Sequence, residues 1–146
     1  MKVYLDNCCF NRVLDDQSFP LIYLERNSVM LILELAEANI LEIVGSQMLK
    51  FEMNATPDQM KRAKLLLMYS LCSSEIEVTK AIADRAEEIR ENSNIRKFDS
   101  IHLACAEDVG VDVLLTTDRK FMNNANRIPA NVRVMNPTAW LMEVIS

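Results

Sequence analysis

Short apolar runs alternate along this chain with longer segments in which apolar residues recur at helical spacing. Runs such as Val3–Leu5 and Val113–Thr116 are bounded by polar or turn residues, as buried strands are. The predicted strands cover residues 2–5, 41–44, 76–78, 113–116 and 132–135, and the predicted helices cover about 20–39, 46–53, 56–72, 79–90, 97–109, 119–125 and 137–144. This alternation with short connections predicts an α/β fold with a mainly parallel central sheet and helices on both faces.

Capping residues mark several of the predicted helix boundaries. Ser46 and Thr79 directly precede helical periodicity and are predicted N-caps. Thr56 followed by Pro57 predicts another helix start, with Thr56 as the cap and Pro57 in the first turn. Gly110 is predicted to end the helix that begins at Lys97.

Length and composition indicate one globular domain, predicted to span residues 1–146. Half of the residues are hydrophobic and 25% are charged, which is a globular composition. The apolar stretch Val29–Leu33 is far too short to cross a bilayer. Asp6 interrupts the N-terminal apolar run where a signal peptide would continue. We therefore expect a cytoplasmic protein with no membrane partner.

Cysteine usage and net charge exclude some further classes. The four cysteines are expected to be reduced thiols, since no secretion signal is recognised. His102 and Cys105 have the spacing of half a zinc site, but buried core positions are favoured because free Cys is among the most buried residue types. The net charge of −5 argues against a strongly basic nucleic-acid-binding surface. It does not argue against a nuclease, because an acidic metal site would itself supply negative charge.

Four carboxylates stand in distinctive local settings. Asp6 and Asp118 follow predicted strands, and ligands of open α/β sheets bind outside the carboxyl ends of strands. If the two strands are neighbours, these carboxylates lie side by side. Glu52 and Asp99 lie in early turns of predicted helices that could flank the same crevice. Asp99 shares a helix face with Leu103, and a carboxylate on such an apolar face is unusual.

A cluster of these carboxylates would favour a hard divalent cation. Clustered carboxylates repel one another unless they are protonated or bound to a metal. Mg²⁺ and Mn²⁺ prefer oxygen ligands, and two such ions could activate a water molecule and stabilise the leaving oxygen of a phosphodiester. Each acid alone also fits an ordinary position; Asp118, for example, could cap the helix that begins at Arg119. The acids assigned to the surface are Asp15, Asp16, Asp58, Asp84, Asp108 and, least firmly, Asp112.

Basic residues stand close in sequence to each of the four acids and could hold phosphates beside the metal ions. They are Arg12, Lys50, Arg96, Lys97, Arg119 and Lys120, and Arg119 is the one assigned to substrate binding. An ordinary solvent-facing role fits them equally well.

The segments that carry the four acids resemble those of the PIN-domain nucleases. They run from Val3–Asn7 through Phe98–Ala104 to Leu115–Phe121, so the resemblance covers essentially the whole chain. It implies a three-layer α/β/α fold and a Mg²⁺- or Mn²⁺-dependent endoribonuclease that hydrolyses RNA phosphodiester bonds. Many small bacterial and archaeal members are toxins of type II toxin–antitoxin pairs and are often dimeric. The implied partners are RNA, an antitoxin protein and a second copy of the chain.

The resemblance also implies roles for individual residues. Asn7 and Thr116 match small polar positions that support the site and are assigned to substrate binding. The implied catalytic acids are Asp6, Glu52, Asp99 and Asp118, of which Asp6, Asp99 and Asp118 are the implied metal ligands.

Other interpretations stay open on the sequence alone. A PIN-like fold could serve as a nucleic-acid or protein binding module with little or no nuclease activity. Three other classes of acidic-site protein fit less well. A haloacid-dehalogenase-like phosphatase needs a second Asp where Cys8 stands, and a receiver domain needs a phosphorylatable Asp after Val44. A flap-type DNA nuclease needs insertions for which 146 residues leave little room. The apolar stretches 29–35 and 65–68 are assigned to the core, with a dimer or antitoxin surface as the alternative.

Overall fold

The computed structural model describes residues 1–145, so Ser146, the last residue of the predicted domain 1–146, lies outside the described residues. The strands are β1 Lys2–Leu5, β2 Glu42–Ser46, β3 Ser74–Ile76, β4 Val113–Leu115 and β5 Arg133–Met135. The helices are α1 Asn7–Arg12, α2 Pro20–Glu37, α3 Gln47–Asn54, α4 Gln59–Tyr69, α5 Lys80–Glu91, α6 Lys97–Val109, α7 Arg119–Ala125 and α8 Pro137–Ile145.

The strands form one parallel sheet in the order β3–β2–β1–β4–β5. In the central strand β1, Val3 pairs with Ile43 of β2 on one side and with Val113 of β4 on the other. Residues Val3, Tyr4 and Leu5 are completely buried, as expected for a parallel strand covered on both faces. The predicted α/β fold with a parallel sheet and helices on both faces is confirmed.

The strand order places a topological switch point between β1 and β4. The chain adds β2 and β3 on one side of β1 and then returns to add β4 and β5 on the other. Connections that diverge in this way leave a crevice at the carboxyl ends of the two central strands, where ligands of open α/β sheets bind. Asp6 and Asp118 follow β1 and β4, so both acids lie at this crevice.

Most element boundaries agree with the sequence pattern, and three do not. No helix is predicted over Asn7–Arg12, yet α1 forms there; six residues are too few to show helical periodicity. Thr56 is not a helix cap and Pro57 is not in the first turn, because α4 is capped by Asp58, whose Oδ1 accepts hydrogen bonds from the amides of Met60 and Lys61. That helix ends at Tyr69 rather than near residue 72.

The third difference concerns β3, which covers Ser74–Ile76 rather than residues 76–78. Its register is set by pairing with β2, in which Ser46 faces Ile76. The bounds of β3 therefore follow from its pairing with β2, whereas the apolar residues of the segment alone predicted a strand two residues later.

Three predicted caps are confirmed. The Ser46 hydroxyl accepts a hydrogen bond from the Leu49 amide at 3.1 Å and starts α3, and Thr79 caps α5 in the same way through Ile82. Gly110 ends α6 with a φ of 71°, a left-handed conformation that side chains disfavour.

The predicted core positions on α2 and α4 are largely correct. Val29, Ile32 and Leu65 are completely buried, whereas Leu31 and Leu67 of the same helices are exposed. The four cysteines are free thiols. Among the described residues, the helices are too short or too polar to cross a membrane.

Gly45 allows α4 to pack tightly over β2. A Cβ atom at this position would lie 2.6 Å from the hydroxyl oxygen of Tyr69, which is closer than non-bonded atoms approach. The Tyr69 hydroxyl in turn donates a hydrogen bond to the Ser46 carbonyl at 3.2 Å. This contact fixes the start of α3, the helix that carries Glu52.

Candidate active site

Asp6 is held rigidly at the carboxyl end of the central strand. Its amide donates to the carbonyl of Leu115 at 2.9 Å, which continues the β1–β4 ladder beyond the last strand residue. Its carboxylate accepts hydrogen bonds from the Asn7 amide at 2.8 Å, the Thr116 hydroxyl at 2.9 Å and the Cys8 thiol at 3.4 Å. Only 5% of Asp6 is exposed, so a buried carboxylate is aimed at the crevice and stabilised by three donors.

Asp118 follows β4 through a short turn that Thr116 organises. The Thr116 amide extends the β4–β5 ladder by donating to Met135, and its hydroxyl oxygen accepts from the Asp118 amide at 3.1 Å. One carboxylate oxygen of Asp118 caps α7 by accepting from the Phe121 amide at 3.1 Å. The capping role considered for Asp118 is therefore correct, and its second oxygen stays available at the crevice.

His102 of α6 joins Glu52 of α3 to Asp6. Its Nε2 atom is hydrogen-bonded to Glu52 Oε1 and lies 3.7 Å from Asp6 Oδ1. Its Nδ1 atom lies 2.6 Å from the Tyr4 hydroxyl, which also contacts the Ser46 hydroxyl at 2.7 Å. Burial raises the pKa of Tyr4, which therefore stays a neutral hydroxyl within this chain of hydrogen bonds.

The protonated form of His102 is favoured by its acidic neighbours. Burial lowers the pKa of the imidazole, but the hydrogen bond to Glu52 and the charges of Asp6, Glu52 and Asp99 outweigh it, so the pKa is raised above 6.5. In the metal-free protein the carboxylates therefore favour the imidazolium, whereas a bound cation would favour the neutral ring, which can orient Glu52.

The prediction that His102 is a buried core residue is correct about its burial, but it did not include the hydrogen bonds of the imidazole ring. His102 and Cys105 are both completely buried. Cys105 is a core residue as expected, whereas both ring nitrogens of His102 are hydrogen-bonded within the acidic cluster. The available signal was its position three residues after Asp99, which places both side chains on one helix face.

Asp99 completes the cluster from the first turn of α6. It is half-buried, and burial together with the charges of Asp6, Asp118 and Glu52 raises its pKa to about 7, against a smaller opposing effect of His102. Asp99 also lines a small cleft together with Asp118. The structure therefore brings together the four acids that the sequence singled out.

The donor set fits a divalent cation. Among the described residues, ligand atoms of Asp6, Glu52 and His102 lie within 4.8 Å of one another, a spacing that one ion can bridge. This tightest group differs from the predicted ligand set of Asp6, Asp99 and Asp118, which stays a prediction. The raised pKa of Asp99 is consistent with this fit, because a bound cation would favour the charged carboxylate against the burial and the neighbouring acids that raise its pKa.

A comparison with protein families identifies the fold and the family. The family model described as PIN domain matches residues 3–126. The chain belongs to the PIN domain family.

Solved structures share this PIN fold at low sequence identity. VapBC2 from Rickettsia felis, bound to a DNA fragment from its promoter, is 19% identical with a TM-score of 0.61, and the alignment covers 93% of this chain and 98% of that one. DNA-bound VapBC from Salmonella typhimurium is 13% identical with a TM-score of 0.63, and the alignment covers 94% and 98%. No curated protein matches the chain in sequence.

The residues assigned to substrate binding take different positions in this PIN domain. Thr116 is 1% exposed and positions Asp6, so it lies behind the acids. Asn7 is half-buried at the start of α1, and its Oδ1 atom is buried with no hydrogen-bond partner among residues 1–145. Arg119 is exposed at the start of α7, directly after Asp118.

Other basic residues divide into two groups. Arg12 forms ion pairs with Glu25 and Asp15, so its guanidinium stabilises the contact between α1 and α2. Arg96 and Lys120, in contrast, line a small cleft together with Asp99 and Asp118. Cations therefore border the acidic cluster on the side of α6 and α7.

Proposed function

We propose that this PIN domain is a Mg²⁺- or Mn²⁺-dependent endoribonuclease that hydrolyses RNA phosphodiester bonds in the cytoplasm. The proposal is supported by the placement of the acids at the β1–β4 switch point. Ligand atoms of Asp6 and Glu52 lie within 4.8 Å of one another, and Asp99 and Asp118 line a common cleft. Carboxylates kept this close disfavour the metal-free state and favour a bound cation.

In this proposal Asp6, Asp99 and Asp118 hold the metal, and Glu52 is a ligand or orients one. When bound, a divalent cation supplies an activated water and stabilises charge on the leaving oxygen. Thr116 keeps the Asp6 carboxylate facing the crevice. Asn7 lies at the start of α1 beside Asp6, and its amide holds the same carboxylate. Arg119, Arg96 and Lys120 bind the phosphates that flank the scissile bond.

The test is cleavage of labelled single-stranded RNAs and tRNAs by the purified protein with Mn²⁺, Mg²⁺ or EDTA. We expect discrete cuts with either metal and none with EDTA. If the folded protein neither cleaves RNA nor binds Mn²⁺, the proposal is wrong, and a binding module with no nuclease activity is the better description.

We further propose that His102 holds Glu52 in place for metal binding. His102→Gln is expected to weaken Mn²⁺ binding about 10- to 100-fold, as loss of a ligand-orienting contact does. Tyr4→Phe should act in the same direction with a smaller effect, because it removes the contact of Tyr4 to Nδ1 and to Ser46 but leaves the contact between Nε2 and Glu52. Calorimetric titration of Mn²⁺ at neutral pH measures both.

Cys105→Ala is the matched control for this experiment. Cys105 is buried on the same helix, three residues from His102, and is not part of the metal-ligand group in the described chain. Its removal should leave Mn²⁺ affinity unchanged. Equal Mn²⁺ affinity of the His102→Gln and wild-type proteins would contradict the role of His102.

We also propose that the protein is the toxin of a type II toxin–antitoxin pair. Support comes from the resemblance to small PIN nucleases and from an exposed apolar surface at the start of α2, formed by Phe19, Leu21, Tyr23 and Leu24. Contiguous exposed apolar side chains mark protein contact sites. An antitoxin segment, or a second copy of the chain, would cover them.

A further inference from the structure

The two helices that contribute Glu52 and Asp99 carry a similar local sequence, a lysine and a phenylalanine followed by an acid. It is Lys50–Phe51–Glu52 on α3 and Lys97–Phe98–Asp99 on α6. Neighbouring residues of a helix rise by only about 1.5 Å along its axis. The Cα atoms of Phe51 and Glu52, and those of Phe98 and Asp99, are therefore adjacent, although side chains at consecutive helix positions point in different directions.

The two phenyl rings meet on the surface. Phe51 is 58% exposed and Phe98 is 43% exposed, and their ring centroids lie 6.0 Å apart at an interplanar angle of 85°. Single exposed apolar side chains are ordinary on protein surfaces. Here two aromatic rings from different helices form an edge-to-face pair in water, beside the acidic cluster. An edge-to-face pair leaves at least one face of each ring free to stack.

Three basic residues lie within two positions of this aromatic pair in sequence, although the chain as a whole has a net charge of −5. Lys97 and Arg96 are exposed at the start of α6. Lys50 is also exposed, and its Nζ lies 3.8 Å from Glu75, a distance that leaves the ammonium accessible. Exposed aromatic rings among cations form the surface that single-stranded nucleic acids bind, with bases on the rings and phosphates on the cations.

We propose that Phe51 and Phe98 form a stacking platform for an unpaired RNA base next to the scissile phosphate. Lys50 and Lys97 contact the phosphates on either side of that base. This inference rests on the proposed nuclease function, because the acidic cluster requires a phosphate within reach of the platform. The cations beside both rings favour a polyanion over an apolar peptide segment. The substrate is therefore RNA with an unstacked base at the cleavage site, as in single strands and loops.

The experiment measures RNA binding without cleavage. Short single-stranded RNAs that carry 2-aminopurine at successive positions are titrated with the full chain in EDTA, where stacking on a ring changes the fluorescence. We expect the wild-type protein to alter the signal at one or two positions. Phe51→Ala and Phe98→Ala should each weaken binding about 5- to 100-fold, the range found when a stacking aromatic is truncated. Phe→Tyr substitutions should retain binding, whereas Phe→Leu substitutions should not.

Met60→Ala on α4 is the matched control, since Met60 is apolar and 72% exposed. Its RNA affinity should equal that of the wild type. Either of two results would overturn the platform. The first is that the wild type binds no RNA in EDTA. The second is that both Phe→Ala proteins bind RNA and alter the 2-aminopurine signal as the wild type does, and the aromatic pair would then be assigned to a protein partner. Because the measurement needs no cleavage, an inactive protein that still stacks a base overturns the nuclease proposal and keeps the platform.

Discussion

Asp6→Asn is expected to lower metal-dependent RNA cleavage on the order of 10³-fold or more while the protein stays folded. A metal ligand contributes several kcal/mol of charge stabilisation, and each 1.36 kcal/mol is a factor of ten in rate. Asn caps helices as well as Asp does, so α1 keeps its start. Asn cannot accept from all three donors of the Asp6 carboxylate, but the substitution also removes one of the charges that raise the pKa of Asp99, so the metal-free protein should stay folded.

Single-turnover cleavage of the best RNA substrate with Mn²⁺ measures the loss, and urea unfolding verifies the fold. Asp112→Asn is the control, because Asp112 precedes β4 and accepts a hydrogen bond from the Lys2 amide at 2.7 Å, at the opposite end of the sheet from Asp118. Its cleavage rate should equal that of the wild type. Full activity of the Asp6→Asn protein would refute the assignment of the site.

The strand ends of this site could be predicted because the information is local. An apolar run that stops at Asp6, and another that stops two residues before Asp118, indicate acids at the carboxyl edge of a parallel sheet. That the two acids are neighbours depends on β1 pairing with β4, which the sequence pattern left as a condition. Asp99 could be found because a carboxylate interrupts an apolar helix face.

The contacts behind the acids could not be predicted in the same way. His102 is paired with Tyr4 and Glu52, which are 98 and 50 residues away along the chain. A buried histidine in an apolar helix has the same local pattern whether or not a hydroxyl and a carboxylate meet it from other elements. Helix α1 could not be predicted because its six residues are too few to show helical periodicity, although Asp6 caps it.

The metal-free protein is expected to lose stability as pH rises, and Asp99→Asn should remove the part of that loss that comes from Asp99, while the raised pKa of His102 contributes in the same direction. Burial, with Asp6, Asp118 and Glu52, raises the pKa of Asp99 from 3.8 to about 7 in the folded protein. Between these values the folded state binds more protons than the unfolded chain, so the free energy of unfolding falls with increasing pH. About three pKa units correspond to at most about 4 kcal/mol, and to about 2 kcal/mol once solvent screening of a half-buried carboxyl is allowed for.

Urea unfolding in EDTA at about pH 4 and about pH 8 tests this expectation, because the first value lies near the unfolded pKa and the second above the folded one. The free energy of unfolding of the Asp99→Asn protein should exceed that of the wild type at the higher pH only. The control Asp84→Asn alters an exposed ion pair with Lys80 and should leave the pH dependence of the free energy of unfolding unchanged. Parallel pH profiles of wild-type and Asp99→Asn proteins would show that Asp99 is not protonated in the cluster. With saturating Mn²⁺ the wild type should become the more stable of the two proteins at the higher pH, because the ion stabilises only a protein that still has its ligands. The same carboxylate thus destabilises the metal-free fold and stabilises the metal-bound one, as expected of a residue retained for metal binding rather than for folding.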